Sequence, residues 1–150
     1  MRVAVSFDHR GVHLREAVLG ELARGGHEVV DLGVDTDAVA VDYPDKAREI
    51  GEAVLDGRAE RGVLVCGSGV GAAVAACKMR GIRAAICHDV YSAHQGVEHD
   101  DMNVLCLGSE VVGPSLAADL VAAFLRAEFT NGDRYVRRLE KIKKMEEAHA

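Results

Sequence analysis

Tryptophan is absent from this chain, proline occurs twice, and phenylalanine and tyrosine three times each, so only 4% of its 150 residues are aromatic. With 49% of residues hydrophobic, the core must be aliphatic, and the length suits one compact domain spanning 1–150. No apolar stretch is long enough to span a bilayer, and the chain enters the apolar run Val3 to Phe7 without a signal-peptide pattern. A cytoplasmic protein without membrane contacts is expected. The body carries no Lys/Arg block and the net charge is −6, which argues against nucleic acid as a partner. Cys66, Cys77, Cys87 and Cys106 lack C-x-x-C spacing, so a disulfide framework is not expected. Dinucleotide and P-loop signatures are missing too, because the glycine loop at 67–71 reads G-x-G-x-G.

What is present is an alternation of strand and helix patterns. Strands are expected at Arg2–Phe7, Glu28–Leu32, Val63–Cys66, Ile82–Cys87 and Asn103–Leu107. Between them, helices are expected at Val12–Ala23, Asp45–Leu55 behind Pro44, Ala72–Met79 and Val90–Gly96, with a long amphipathic helix over Val112–Phe129. That order predicts an α/β fold: a doubly wound, five-stranded parallel sheet with helices on both faces. The last segment, Asp133–Ala150, places Leu139, Ile142 and Met145 on one stripe, and reads as a C-terminal helical arm packing on a neighbouring subunit.

The densest signal lies at Val63 to Gly71, where Val-Leu-Val runs into Cys66-Gly67-Ser68-Gly69-Val70-Gly71. Three apolar residues without alternation suit a parallel strand covered on both faces. A glycine turn between strand and helix leaves backbone N–H groups unpaired, and the helix dipole there favours both an anion and the thiolate of a nearby cysteine. Cys66 therefore reads either as a nucleophile or base beside an anion site, or as a small apolar filler.

Ligands of open parallel sheets bind beyond the carboxyl ends of the strands, where strand order reverses. That rule places Asp8-His9, Asp42-Tyr43, Cys66-Gly67-Ser68 and Cys87-His88-Asp89 on one rim. The His94, Glu98, His99, Asp100, Asp101 segment has metal-ligand residue types, but His94 and His99 stand five apart, off the i, i+4 spacing of a helical pair. A solvated acidic loop, or a histidine working in a pocket, accounts for it better. Arg134 and Arg138 stand at i and i+4, and can either clamp a phosphate or form a solvated basic face.

Asp8-His9, Asp42-Tyr43-Pro44, the Cys66–Gly71 loop, Gly81-Ile82-Arg83-Ala84, His99 to Leu105 and Arg134-x-x-x-Arg138 occur in an order and spacing that resemble the type B ribose-5-phosphate isomerases, over nearly the whole chain. That family also includes allose-6-phosphate and galactose-6-phosphate isomerases. The resemblance implies a flavodoxin-like sheet, a homodimer with an active site at the subunit interface, and no metal or organic cofactor, and leaves open whether such dimers pair into a homotetramer. It implies Cys66 as the base between C1 and C2 of an open-chain phosphorylated sugar, and Ser68 as the relay between its oxygens. It implies further that backbone N–H groups of Gly67, Gly69, Val70 and Gly71 take the enediolate oxygen. The resemblance likewise implies that His99 assists opening of the sugar ring, that Asp8 and Tyr43 lie near the hydroxyls, and that His9, Arg134 and Arg138 hold the phosphate.

Three departures from the family pattern stand out. Asp100 replaces an asparagine at a substrate-contacting position, Tyr135 replaces a histidine, and one extra residue precedes Arg134. A phosphorylated pentose is the expected substrate, with a hexose 6-phosphate or a non-catalytic metabolite-binding role as alternatives.

Overall fold

In a computed structural model describing residues 1–150, the five expected strands form one all-parallel sheet: β1 (Arg2–Phe7), β2 (Glu28–Asp31), β3 (Arg61–Cys66), β4 (Ala84–Ile86) and β5 (Val104–Gly108). Six helices accompany them: α1 (Arg15–Arg24), α2 (Tyr43–Leu55), α3 (Val70–Ala76), α4 (Val90–Asp100), α5 (Pro114–Arg126) and α6 (Asp133–Ala148). A 3-10 turn, Gly11–Leu14, leads into α1 where the sequence pattern suggests one continuous helix.

The strands line up as β2-β1-β3-β5-β4, the doubly wound architecture expected, with β5 inside β4 so that β4 takes the edge. This order follows from the hand of crossovers. Steps toward one edge (β2 to β3, β3 to β4) carry α2 and α3 over one face, and the reversed steps (β1 to β2, β4 to β5) carry α1 and α4 over the other, where α5 also packs. Strand side chains alternate between two cores. Val3, Val5, Phe7, Val63, Val65, Leu105 and Leu107 face α1, α4 and α5, whereas Ala4, Leu64, Cys66, Val104 and Cys106 face α2 and α3.

Several boundaries shift by a few residues from expectation, and two of the shifts have clear local reasons. Helix α4 runs on through Glu98, His99 and Asp100, residues that suggest an acidic loop by composition, and ends only where Asp101 adopts a left-handed conformation with φ 47°. Asp89, expected on the ligand rim, instead caps this helix by accepting the Ser92 N–H at 2.7 Å, which holds its carboxyl below the ordinary carboxylate range. Helix α5 begins at Pro114, two residues later than Val112, with proline in its first turn.

Candidate active site

Strands β1 and β3 are neighbours whose following connections leave for opposite faces, so a crevice opens between their carboxyl ends. A cavity of about 290 Å³ occupies it, with Asp8, His9 and Arg10 on one side and Cys66, Gly67, Ser68 and Gly71 on the other. Val41, Asp42 and Tyr43 close the third wall.

Each wall is fixed by the backbone. Asp8 is buried, and its Oδ1 accepts the N–H groups of Arg10 at 2.9 Å and Gly11 at 2.7 Å, which folds the chain sharply after β1. The Val41 N–H donates to Nδ1 of His9 at 3.2 Å, so the neutral imidazole carries its proton on Nε2. The same bond ties the irregular 33–42 segment to the end of β1. In the Cys66–Gly71 loop, Gly69 holds φ +80°, a left-handed conformation that lets α3 start at Val70. Gly71 lies under the ring of Tyr43, so close that a Cβ there would sit 2.6 Å from Cζ.

Cys66 stands at the centre of this loop with 4% of its surface exposed, and its Sγ accepts the Gly69 N–H at 3.2 Å. Val70 N–H donates to the Ser68 hydroxyl oxygen at 3.2 Å. The N–H groups of Gly67, Ser68 and Gly71 donate to no group of the chain, which leaves donors beside the thiol for an anionic oxygen. All four cysteines are free. Burial, with Asp89 nearby, pushes the Cys87 thiol up to about 11, and complete burial pushes Cys106 up further, so neither is primed for chemistry.

The remaining expected residues assemble elsewhere. His99 stacks on the buried ring of Tyr135, with centroids 4.4 Å apart and planes at 25°. The Arg134 and Arg138 guanidinium carbons lie 4.6 Å and 5.9 Å from the same ring, and Arg134 donates to the Tyr135 hydroxyl. Asp100 is exposed one residue further along α4. Within one chain this group is remote from Cys66. The Thr130 N–H donates to Glu98 O, and Arg83, at the entrance to β4, pairs with Asp101 at 2.8 Å, so the end of α4 lies at the amino rim of the sheet. Cys66 closes a six-residue strand at the opposite rim, about 20 Å away at 3.3 Å per residue.

Two contributors escaped the sequence patterns. Arg10 lines the cavity immediately after the Asp8-His9 pair, and its adjacency was the available signal. Tyr135, apparent only as a departure from family pattern, is the platform on which His99 rests. A larger cleft of about 440 Å³ at the amino rim, between α6 and residues 80–83, holds no cysteine, serine or histidine, and its Arg83–Asp101 and Arg80–Glu147 charges are paired.

The sequence profile described as Ribose/Galactose Isomerase matches residues 3–142. The chain belongs to this family. Ribose-5-phosphate isomerase B of Escherichia coli (strain K12) is 40% identical over 146 residues, 97% of each chain. A D-erythrulose-4-phosphate isomerase of Pectobacterium atrosepticum is 37% identical over 132 residues, covering 88% of this chain and 87% of the relative. Among solved structures, Clostridium thermocellum ribose-5-phosphate isomerase B superposes with a TM-score of 0.95 at 41% identity over 100% of both chains. Family membership makes this chain a sugar-phosphate isomerase, an enzyme rather than a non-catalytic binding domain. No helix is long and apolar enough to cross a membrane.

Proposed function

We propose that this isomerase interconverts ribose 5-phosphate and ribulose 5-phosphate, with Cys66 as the base. The observation that carries the proposal is the Cys66 thiol, held by the Gly69 N–H beside three unpaired backbone donors in the switch-point cavity. The thiolate takes the proton from C2 of the open-chain aldose, and the resulting enediolate oxygen is met by the Gly67, Ser68 and Gly71 N–H groups. Ser68 passes a proton from O2 to O1, and the thiol, exchanging its proton with solvent while the enediolate persists, delivers one to C1, giving the ketose with atoms balanced. The free Oδ2 of Asp8 and the Tyr43 hydroxyl meet sugar hydroxyls. His9 donates from Nε2 to the phosphate.

His99, Asp100, Arg134 and Arg138 reach this cavity from a second copy of the chain, an arrangement supported by their position at the opposite rim. The open apolar residues of α6, Val136, Ile142 and Met145, together with Val70 and Val74 beside the cavity, suit burial in a homodimer or tetramer. His99, stacked and oriented by Tyr135, opens the sugar ring.

A second reading, a phosphorylated sugar of another length, is favoured by Asp100, a carboxylate at the position where the resemblance leads one to expect asparagine, and by the similarity to a D-erythrulose-4-phosphate isomerase. Turnover of tetrulose, pentose, allose and galactose phosphates by the purified protein decides between them: ribose 5-phosphate is expected to give the highest kcat/KM. Failure to isomerise any of these sugars contradicts the whole reading. Cys66→Ala is expected to abolish turnover, by at least about a thousandfold, while phosphate-sugar binding persists.

A further inference from the structure

The wall of the Cys66 cavity carries two carboxylates, Asp8 and Asp42, and Glu110 stands just outside it. Against them stands a single permanent cation, Arg10, because His9 contributes a neutral donor through its Nδ1 contact with Val41. Even with Arg10 the wall one chain provides is net negative, so this guanidinium is the one attractive full charge that a phosphate dianion meets there.

The geometry points to Arg10 as the group that receives the substrate's phosphate on the Cys66 side of the site, exchanging Glu110 for it. This inference rests on the sugar-phosphate reading above. The guanidinium lies directly over Gly67: a Cβ at that position would be 2.6 Å from its Cζ and 2.7 Å from an Nη. Glycine at 67 is thus what lets a cation settle against the loop that carries the unpaired N–H groups.

Backbone and side chain of Arg10 behave differently. Its N–H is fixed on Asp8 Oδ1, and its carbonyl accepts the Ser109 hydroxyl at 2.8 Å. The guanidinium, in contrast, meets only Glu110, at 3.4 Å, with both side chains 55% exposed. Such a long, solvated pair contributes little, whereas a guanidinium donating two charge-assisted bonds to a phosphate contributes much more. Glu110 therefore parks the arginine near its working position and yields it to the ligand.

Steady-state kinetics with ribose 5-phosphate, and inorganic phosphate as competitive inhibitor, test the inference on Arg10→Ala, Arg10→Lys and Glu110→Gln, each checked for an unchanged thermal melt. Arg10→Ala is expected to raise both KM and the phosphate Ki about 10- to 100-fold, with kcat within about threefold of wild type. Arg10→Lys recovers part of the loss, and Glu110→Gln lowers both constants because the competing carboxylate is gone. Unchanged KM and Ki in Arg10→Ala, or a fall in kcat at constant KM, overturns it. Calorimetric titration of inorganic phosphate into wild type and Arg10→Ala separates the two readings. Loss of phosphate affinity in the variant supports the Arg10 assignment even if no sugar phosphate is turned over. Equal affinity overturns it even if wild type isomerises ribose 5-phosphate.

Discussion

Four thiols share this chain, and their surroundings separate them. Cys87 and Cys106 are buried among aliphatic side chains that oppose a thiolate, while Cys66 faces a cavity with a backbone donor on its sulfur and Cys77 is exposed near the Ala84 carbonyl. Alkylation at neutral pH, mapped by peptide mass spectrometry, is expected to modify Cys66 and Cys77 and spare the other two. Only Cys66 should be protected by a sugar phosphate. Equal protection of Cys77 would point to a general tightening of the protein instead. The loop residues are similarly constrained. Gly71→Ala places a methyl group into the Tyr43 ring and must tilt that wall, so kcat/KM is expected to fall by about tenfold or more while the melt shifts modestly.

Helix and strand ends show how the scaffold is held. The Arg61 guanidinium, at the start of β3, donates to the carbonyls of Phe124 at 2.6 Å and Ala127 at 2.8 Å, and so caps the end of α5 over the face of the Phe124 ring. Burial shifts this arginine downward, partly offset by Asp101, Glu60 and Glu128, but the group stays charged. Arg61→Ala is expected to cost about 1–3 kcal/mol in a urea melt, with Arg61→Lys recovering less than half because one ammonium cannot span both carbonyls. At the other edge, the Arg15 guanidinium holds the Asp31 carboxyl below its ordinary value of 3.8 and ties α1 to β2. The native state therefore favours ionised Asp31, and this stabilisation is present above the ordinary value and disappears as pH falls through the lowered one. Asp31→Asn is expected to be less stable than wild type at neutral pH, with the gap narrowing in denaturant melts as pH falls below the ordinary carboxylate value of 3.8.

At the scale of the whole molecule, the proposed residues divide between two rims of one sheet. Coexpressing Cys66→Ala with His99→Ala chains is expected to restore about a quarter of wild-type ribose 5-phosphate turnover, since half of randomly paired dimers carry one intact shared site. No recovery would place the site within one chain. Much of this architecture was legible in the sequence. The strands announce themselves as unbroken aliphatic runs, and the strand-end rule brings Asp8, His9, Tyr43 and Cys66 onto one rim. What stayed hidden depends on tertiary contacts. Nothing local to β4 and β5 says that β5 lies inside, and the charged run at 98–101 resembles a loop until the left-handed Asp101 shows where α4 ends. Arg10 gains its place from the missing side chain of Gly67, and His99 gains its orientation from the packing of α6 on α4. The most direct test of the account is isomerisation of ribose 5-phosphate in deuterated water, followed by NMR in wild type and Cys66→Ala. Wild type is predicted to incorporate solvent deuterium at the carbon that the thiol reprotonates, and Cys66→Ala to show neither turnover nor labelling. Turnover with labelling in Cys66→Ala contradicts Cys66 as the base.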